Sequence, residues 1–401
     1  MDSISILERL VEFPTVSRDS NLALISYVAD LLQQHGIASR LVPSPDGSKA
    51  SLIATAGPTD RPGVMLSGHT DVVPVDGQNW SLPPFTMTKR DGKLYGRGTA
   101  DMKGFVACLL AMAIRASKTN LVTPLQLALS YDEEIGCVGV HGLIDDLVAR
   151  QQRPLLCIVG EPTNMQVAIG HKGKMAVRAV FKGREAHSAL APLALNAIHL
   201  GADFIRALQR EQEWLQEHGA TDEGYDIPYT TVHAGLMHGG VALNIVPNLC
   251  TIDFEIRNVA AEYPKAILKR LETAAGKIIA EAKAKAPEAD VAFEVFNFYP
   301  GLDNPADCPS VAFVKSLIGR NDTMKVAFGT EAGLFCEKLR VPTVICGPGS
   351  MAQGHKPDEY VLADQLSACD AMLDKLLRAL ETGTPDSLSL SGVLHRTHPG
   401  P

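Results

Sequence analysis

Residues 124–136 read PLQLALSYDEEIG: an apolar run that stops abruptly in Asp132, Glu133 and Glu134, followed by a glycine. The run has the length and composition of a buried strand. In open α/β sheets such strands deliver the chain into a crevice at their C-terminal ends. Three adjacent acids could simply be a solvated loop. Four other stretches repeat the pattern, however, with apolar residues running into polar ligand types beside glycine: VMLSGHTDVVP (64–74), LYGRGTADMKG (94–104), CIVGEPT (157–163) and VICGPGSMAQGHKPDEY (344–360).

Around these stretches, helical and strand-like segments alternate from Ser3 to Gly160, which predicts a mainly parallel central sheet with helices on both faces. The texture then changes. A strand over Lys174–Lys182, a helix over Leu193–Arg210, strands over Tyr229–His238 and Asn248–Asn258, a helix over Tyr263–Ala286 and a strand over Asp290–Phe298 give the order β-α-β-β-α-β of a ferredoxin-like unit. β/α alternation resumes afterwards. The expected organisation is a sheet domain, 1–173 and 299–401, interrupted by a smaller inserted α+β domain at 174–298. The stretch 382–401 has no periodicity and is expected to be mobile, with His395 and His398 solvated.

Bulk composition narrows the function. A chain of 401 residues, 46% hydrophobic and 20% charged, is large enough for two cores. A net charge of −8 disfavours nucleic acid as a partner, and no apolar run has the length of a membrane span. The N-terminus is acidic and helix-patterned rather than leader-like, and eight isolated cysteines with no C-x-x-C pair read as buried reduced thiols. A cytoplasmic protein is expected.

The chemistry sits at the strand ends. His69 and Asp71 lie two apart and share one face of a strand, so the carboxylate can orient the imidazole. Asp101 could merely cap the helix that follows it. Glu161 and His355 each sit in a turn after an apolar run. Massed carboxylates at one sheet edge repel unless something positive joins them, and no comparable set of Lys and Arg is evident. Divalent cations are the simplest solution. Histidine and carboxylate donors without thiolate suit two Zn²⁺, with Co²⁺ or Mn²⁺ as alternatives.

Together the motifs SGHTDVVP, GRGTADMKG, DEEIG, GEPT and GHKPDEY resemble those of the co-catalytic zinc exopeptidases and deacylases, over nearly the whole chain. The resemblance implies His69, Asp101 and Glu161 on one zinc, with Asp101 bridging to a second that Glu134 and His355 complete. It further implies Glu133 as general base, Asp71 as partner of His69, and His187 reaching across a homodimer interface in the inserted lid domain to stabilise an oxyanion. Asn244 and Arg257 are candidate substrate contacts. Within the family, FGTEAGLF (328–335), ICGPGS and GHKPDEY look most like the acetylornithine deacetylases. This implies hydrolysis of N2-acetyl-L-ornithine to L-ornithine and acetate, a step of arginine biosynthesis, with Glu331 facing the cationic side chain. The alternatives are a desuccinylase, another N-acyl amino acid deacylase, a dipeptidase or carboxypeptidase on the same scaffold, or a silent binding protein. Asp132 is expected in a turn or facing solvent, His171 and Lys172 at the surface, and Pro14, Thr15 and Ser17 in a loop without a role.

Overall fold

A computed structural model describes residues 1–384 and 388, so most of the C-terminal stretch, with His395 and His398, lies outside the described residues. Contacts divide the chain into two units. Unit 1 comprises Met1–Gly170, Leu302–Lys325 and the chain from Thr330 onward; unit 2 comprises His171–Gly301 and Val326–Gly329.

Unit 1 carries strands β1 (Ser39–Pro43), β2 (Ala50–Ala56), β3 (Val64–His69), β4 (Thr88–Arg90), β5 (Lys93–Tyr95), β6 (Leu125–Ser130), β7 (Leu156–Val159) and β8 (Val167–His171, whose last residue is assigned to unit 2). Its main sheet runs β1-β2-β6-β3-β7 and continues through a strand from near the end of the chain to β8. Every residue of β3, β6 and β7 is buried, as expected for strands covered on both faces. Helices α1 (Ser3–Val11), α2 (Leu22–Gln34), α3 (Lys103–Ala116) and α4 (Gly139–Ala149) provide cover. Thirteen of the residues in α3 are buried, so it is a central helix with no solvent face.

Unit 2 contains β9 (Gly173–Lys182), α5 (Ala197–His218), β10 (Thr231–Gly239), β11 (Leu249–Asn258), α6 (Pro264–Lys283) and β12 (Asp290–Tyr299). Its antiparallel sheet has the order β10-β11-β9-β12 and packs the two helices over a separate core that includes Phe181, Phe204 and Phe254. This is the ferredoxin-like unit. Helix α5 begins at Ala197, where the Asn196 side chain accepts from Ile198 N at 2.9 Å, and continues past Arg210 to His218. A 3₁₀ segment, Ser188–Leu193, precedes it and ends where the helix was expected to begin.

The chain then returns to unit 1 with β13 (Leu302–Asp303), α7 (Pro309–Ile318), β14 (Thr323–Val326, ending in unit 2), α8 (Ala332–Leu334), β15 (Thr343–Ile345), β16 (Tyr360–Leu362) and α9 (Ala363–Thr382). The α/β architecture is as expected. Its parallel centre is β6-β3-β7-β15, flanked by antiparallel neighbours β2 on one side and β8 on the other. Helix α4 escaped the sequence reading because its two glycines are poor helix formers; burial of Val140, Leu143, Ile144 and Leu147 outweighs that. Also unforeseen is the small sheet β16-β5-β4, which pairs residues far apart in the chain.

In unit 2, His171 and Lys172 are buried rather than at the surface. The Lys172 ammonium donates to the carbonyls of Ile227 (2.8 Å) and Tyr229 (2.7 Å), which replaces the water it loses. Burial pulls the His171 imidazole down to about 4, so it stays neutral.

Candidate metal centre and active site

Register decides what the strand ends bring together. In the parallel pairs His69 is opposite Ser130, Ser67 opposite Val159, and Val159 opposite Ile345. The C-terminal ends of β3, β6, β7 and β15 therefore share one edge, and the segments leaving them carry His69, the acids 132–134, Glu161 and His355. Gly160 and Gly347 allow the closeness: a Cβ on Gly160 would fall 2.0 Å from the Phe105 ring, and one on Gly347 2.0 Å from the Gly160 carbonyl.

Asp101 is the centre of the group. His69 Nε2 lies 3.1 Å from its Oδ1, and His355 Nε2 lies 3.2 Å from its Oδ2. His355 also meets Glu134 Oε2 at 2.9 Å, while Glu161 Oε1 stands 4.0 Å from His69 Nε2. The five ligand candidates thus converge on two sides of one carboxylate. Asp101 is not a helix cap, because α3 takes Met102 at that position with no side-chain cap. Donor atoms of His69, Asp101 and Glu134 lie within 4.8 Å of one another, as do those of His69, Glu133 and Glu161. Glu134 Oε1 and Glu161 Oε1 are buried with no hydrogen-bond partner. Orphaned carboxylate oxygens beside two imidazoles fit divalent cations of the zinc type, which take nitrogen and oxygen donors.

The surroundings aim these groups. His69 Nδ1 faces the Asp71 carbonyl at 2.9 Å and its Oδ1 at 3.5 Å, which turns Nε2 toward Asp101. Asp71 also accepts from Glu133 N (3.1 Å), Glu134 N (3.3 Å) and Ser17 Oγ (2.7 Å). One carboxylate therefore orients a histidine and the backbone of both glutamates. Ser17 has a positional role that its loop did not suggest.

Charge states follow from burial and neighbours. Burial drives the Glu133 carboxyl well above its ordinary range; His69 opposes that shift, while Glu134, Glu331 and Asp101 add to it. Glu161 is driven up in the same way, by burial and then by Glu133 and Asp101. Burial and Asp101 take Glu134 to about 7. Hydrogen bonds to Asp101 and Glu134 raise His355 to about 10. Burial opposes protonation of His69, but Asp101, Asp71 and Glu161 outweigh it and hold the ring well above its ordinary value. Without cations, protons tie this cluster together.

Three sequence readings need correction. Asp132 is buried, not solvent-facing, and its carboxylate takes Lys49 Nζ at 2.6 Å. Basic groups do accompany the acids: Lys49, Arg97 and Lys103 are at or near this edge. They are engaged elsewhere, with Asp132, Glu359 and the Phe13 carbonyl respectively, and so leave Asp101, Glu134 and Glu161 to the histidines. Glu359, four residues after His355, was overlooked; it accepts from the backbone N–H of Asp101 at 3.1 Å.

Glu331 lies in unit 1, 1% exposed, with Oε2 3.5 Å from Ser67 Oγ and Oε1 unpartnered; burial raises it to about 7. His187 and Asn244 are exposed and adjacent within unit 2, joined by Ser188 N to the Asn244 carbonyl at 2.9 Å. Arg257, also in unit 2, is already forked by Glu255 (Nε at 3.0 Å) and donates to Tyr299 OH at 2.8 Å, so its guanidinium is not held open.

A family model described as peptidase family M20/M25/M40 matches residues 65–379. The chain is 34% identical over 365 residues to an acetylornithine deacetylase of Klebsiella pneumoniae (strain 342), covering 89% of this chain and 92% of the relative. Among solved structures, an M20 family metallo-carboxypeptidase, Sso-CP2 of Sulfolobus solfataricus, superposes with a TM-score of 0.76 at 19% identity, covering 96% of this chain and 100% of that one. The YXEP protein of Bacillus subtilis, described as a dinuclear metal binding peptidase from the M20 family, gives 0.66 at 17% identity, covering 95% and 98%.

Proposed function

The chain belongs to peptidase family M20/M25/M40, and from that premise we propose that it hydrolyses the amide of N2-acetyl-L-ornithine to L-ornithine and acetate. The observation carrying the substrate choice is the identity to a curated acetylornithine deacetylase along nine-tenths of both chains. In this reading His69, Asp101 and Glu161 hold one Zn²⁺, and Asp101, Glu134 and His355 a second.

When bound, the two ions supply Lewis acidity and lower the pKa of an attacking water toward about 7. The protein supplies the rest. Glu133, fixed through its backbone N–H by Asp71, is the general base: as the carboxylate it takes the proton of the attacking water and passes it to the leaving amine nitrogen. Asp71 keeps His69 in the tautomer that presents Nε2. The Glu331 carboxylate, with an oxygen unpartnered, is suited to the ornithine ammonium. An N-acyl amino acid with a neutral side chain would not use it.

The test is a panel of acylated amino acids. Acetylornithine is expected to give the highest kcat/KM, and Glu331→Gln to lower that value about tenfold to a hundredfold while leaving N-acetyl-leucine unchanged, the range of one charged hydrogen bond. Equal losses on both substrates remove Glu331 from recognition. Preference for a peptide over every acetylated amino acid favours the second reading, a carboxypeptidase, which the likeness to Sso-CP2 suggests.

The proposal also includes a homodimer through unit 2, with His187 acting in the partner's site. His187 is exposed, and near it in the chain or across its loop pairing are Leu193 (70% exposed), Val241 (89%) and Leu243 (102%). Such apolar exposure suits a contact surface. Mixing inactive His187→Ala with inactive Glu133→Gln should restore up to about a quarter of wild-type activity, since random pairing leaves one intact site in half of the dimers. No recovery from a mixture shown to exchange subunits would place His187 in its own chain's site, or outside catalysis.

A further inference from the structure

A buried ion pair lies outside the residues assigned above. Arg97 Nη1 and Glu359 Oε2 are 2.7 Å apart, and both side chains are 1% exposed. Burying two charges costs several kcal/mol, and an apolar pair of similar size would often be more stable, so the pair calls for a reason other than stability.

Its contacts supply one. Glu359 accepts from three backbone N–H groups of one turn: Gly98 (3.0 Å), Ala100 (2.9 Å) and Asp101 (3.1 Å). Arg97 donates in the other direction, to the Lys356 carbonyl (3.3 Å), the Pro74 carbonyl (3.4 Å) and Gln78 Oε1 (2.5 Å), and its guanidinium lies 4.9 Å from the Trp80 ring centre. Gln78 in turn donates Nε2 to the carbonyl of His355 at 3.0 Å. One arm of the network ends on the backbone of Asp101 and the other on the backbone of His355. The side chains of those two residues meet at 3.2 Å. Among the described residues the network's hydrogen bonds reach neither His69 nor Glu161.

We propose that Arg97 and Glu359 are positioning residues for the dinuclear centre: they fix the Asp101 turn against the His355 loop, and thereby set cation affinity most strongly at the Asp101–Glu134–His355 position, two of whose ligands they hold, and less at the other, which shares only Asp101. The inference rests on the two-cation reading of the site. A carboxylate and an imidazole on separate, irregular segments must otherwise give up backbone freedom to meet on one ion. Outer partners that remove this cost typically change affinity 10–100-fold.

The test titrates chelator-stripped, full-length protein with Co²⁺, following visible absorption, and measures Zn²⁺ stoichiometry by equilibrium dialysis. Wild type is expected to fill two positions. Glu359→Gln and Arg97→Lys should bind the ion on the His355 side about 10–100-fold more weakly, with a clearly smaller loss at the other, which shares only Asp101 with it. His355→Ala, which removes a ligand on that side, should abolish the same absorption component and so identify it. Gln78→Ala, at a half-buried position, cuts only the His355 arm and should weaken that component in the same direction. Thermal melts confirm that each variant is folded; if Glu359→Gln is not, Gln78→Ala decides. Equal weakening of both ions, or an undisturbed ion on the His355 side, overturns the proposal. A wild type that binds fewer than two ions overturns the two-cation reading itself, and this is visible before any variant is compared.

Discussion

Glu133→Gln is expected to lower kcat by about 10²–10⁴, the usual contribution of a positioned acid–base group, with KM and bound metal little changed. The substitution keeps the volume and the backbone N–H that Asp71 accepts at 3.1 Å, so the loop carrying Glu134 should stay in place. What it removes is the only function proposed for this side chain, holding and returning a proton. The prediction is sharp because geometry alone allows a rival. Glu133 shares a three-donor grouping with His69 and Glu161 and could itself be a ligand. Metal content separates the two. A variant that loses activity while retaining both ions is missing its base; one that loses an ion in step with activity has lost a ligand, and the role of Glu133 proposed here fails.

Removal of the cations should have an effect at least as large: activity falls to background on chelation and returns with Zn²⁺. Loading should also be coupled to protons. In the cation-free cluster His355 titrates at about 10 and Glu134 at about 7, and His69 is raised as well. At neutral pH the two histidines therefore hold protons and Glu134 holds one in part, and these must be released before the nitrogen and oxygen atoms can coordinate. Affinity for Zn²⁺ should therefore increase with pH through the window between about 7 and about 10 and weaken as pH falls below it. Calorimetric titration at pH 7 in two buffers of different ionisation enthalpy measures the protons released. No release would show that cations bind elsewhere. Full turnover by stripped protein would remove metal from the mechanism altogether.

Much of this site could be read from the chain because its chemistry is local. A carboxylate or imidazole just past an apolar run is visible as such, and parallel strands carry such residues to a common edge whatever the loop lengths. That accounts for His69, Glu134, Glu161 and His355 meeting as they do; Asp101 instead follows β5 of the small antiparallel sheet and is held in place by Glu359. The same local reasoning misplaced Asp132, because polarity alone does not reveal a buried lysine partner at position 49. It misplaced His171 and Lys172 as well, since the carbonyls of Ile227 and Tyr229 that receive the lysine, and the Lys172 carbonyl that faces the histidine ring, are in place only in the folded unit. Arg257 looked available in the sequence and is occupied by Glu255.

Periodicity and motif spacing by themselves determined the α/β class, the β-α-β-β-α-β insertion and the set of ligand candidates, because these depend on which side chains prefer burial and which can bind a cation. Tertiary structure alone decided how those candidates are aimed. Asp71 spans three partners, Ser17 joins it from 54 residues away, and the Arg97–Glu359 pair connects backbone segments 262 positions apart. Hydrogen bonds and ion pairs act over about 3 Å of space with no fixed separation along the chain, so no local pattern encodes them.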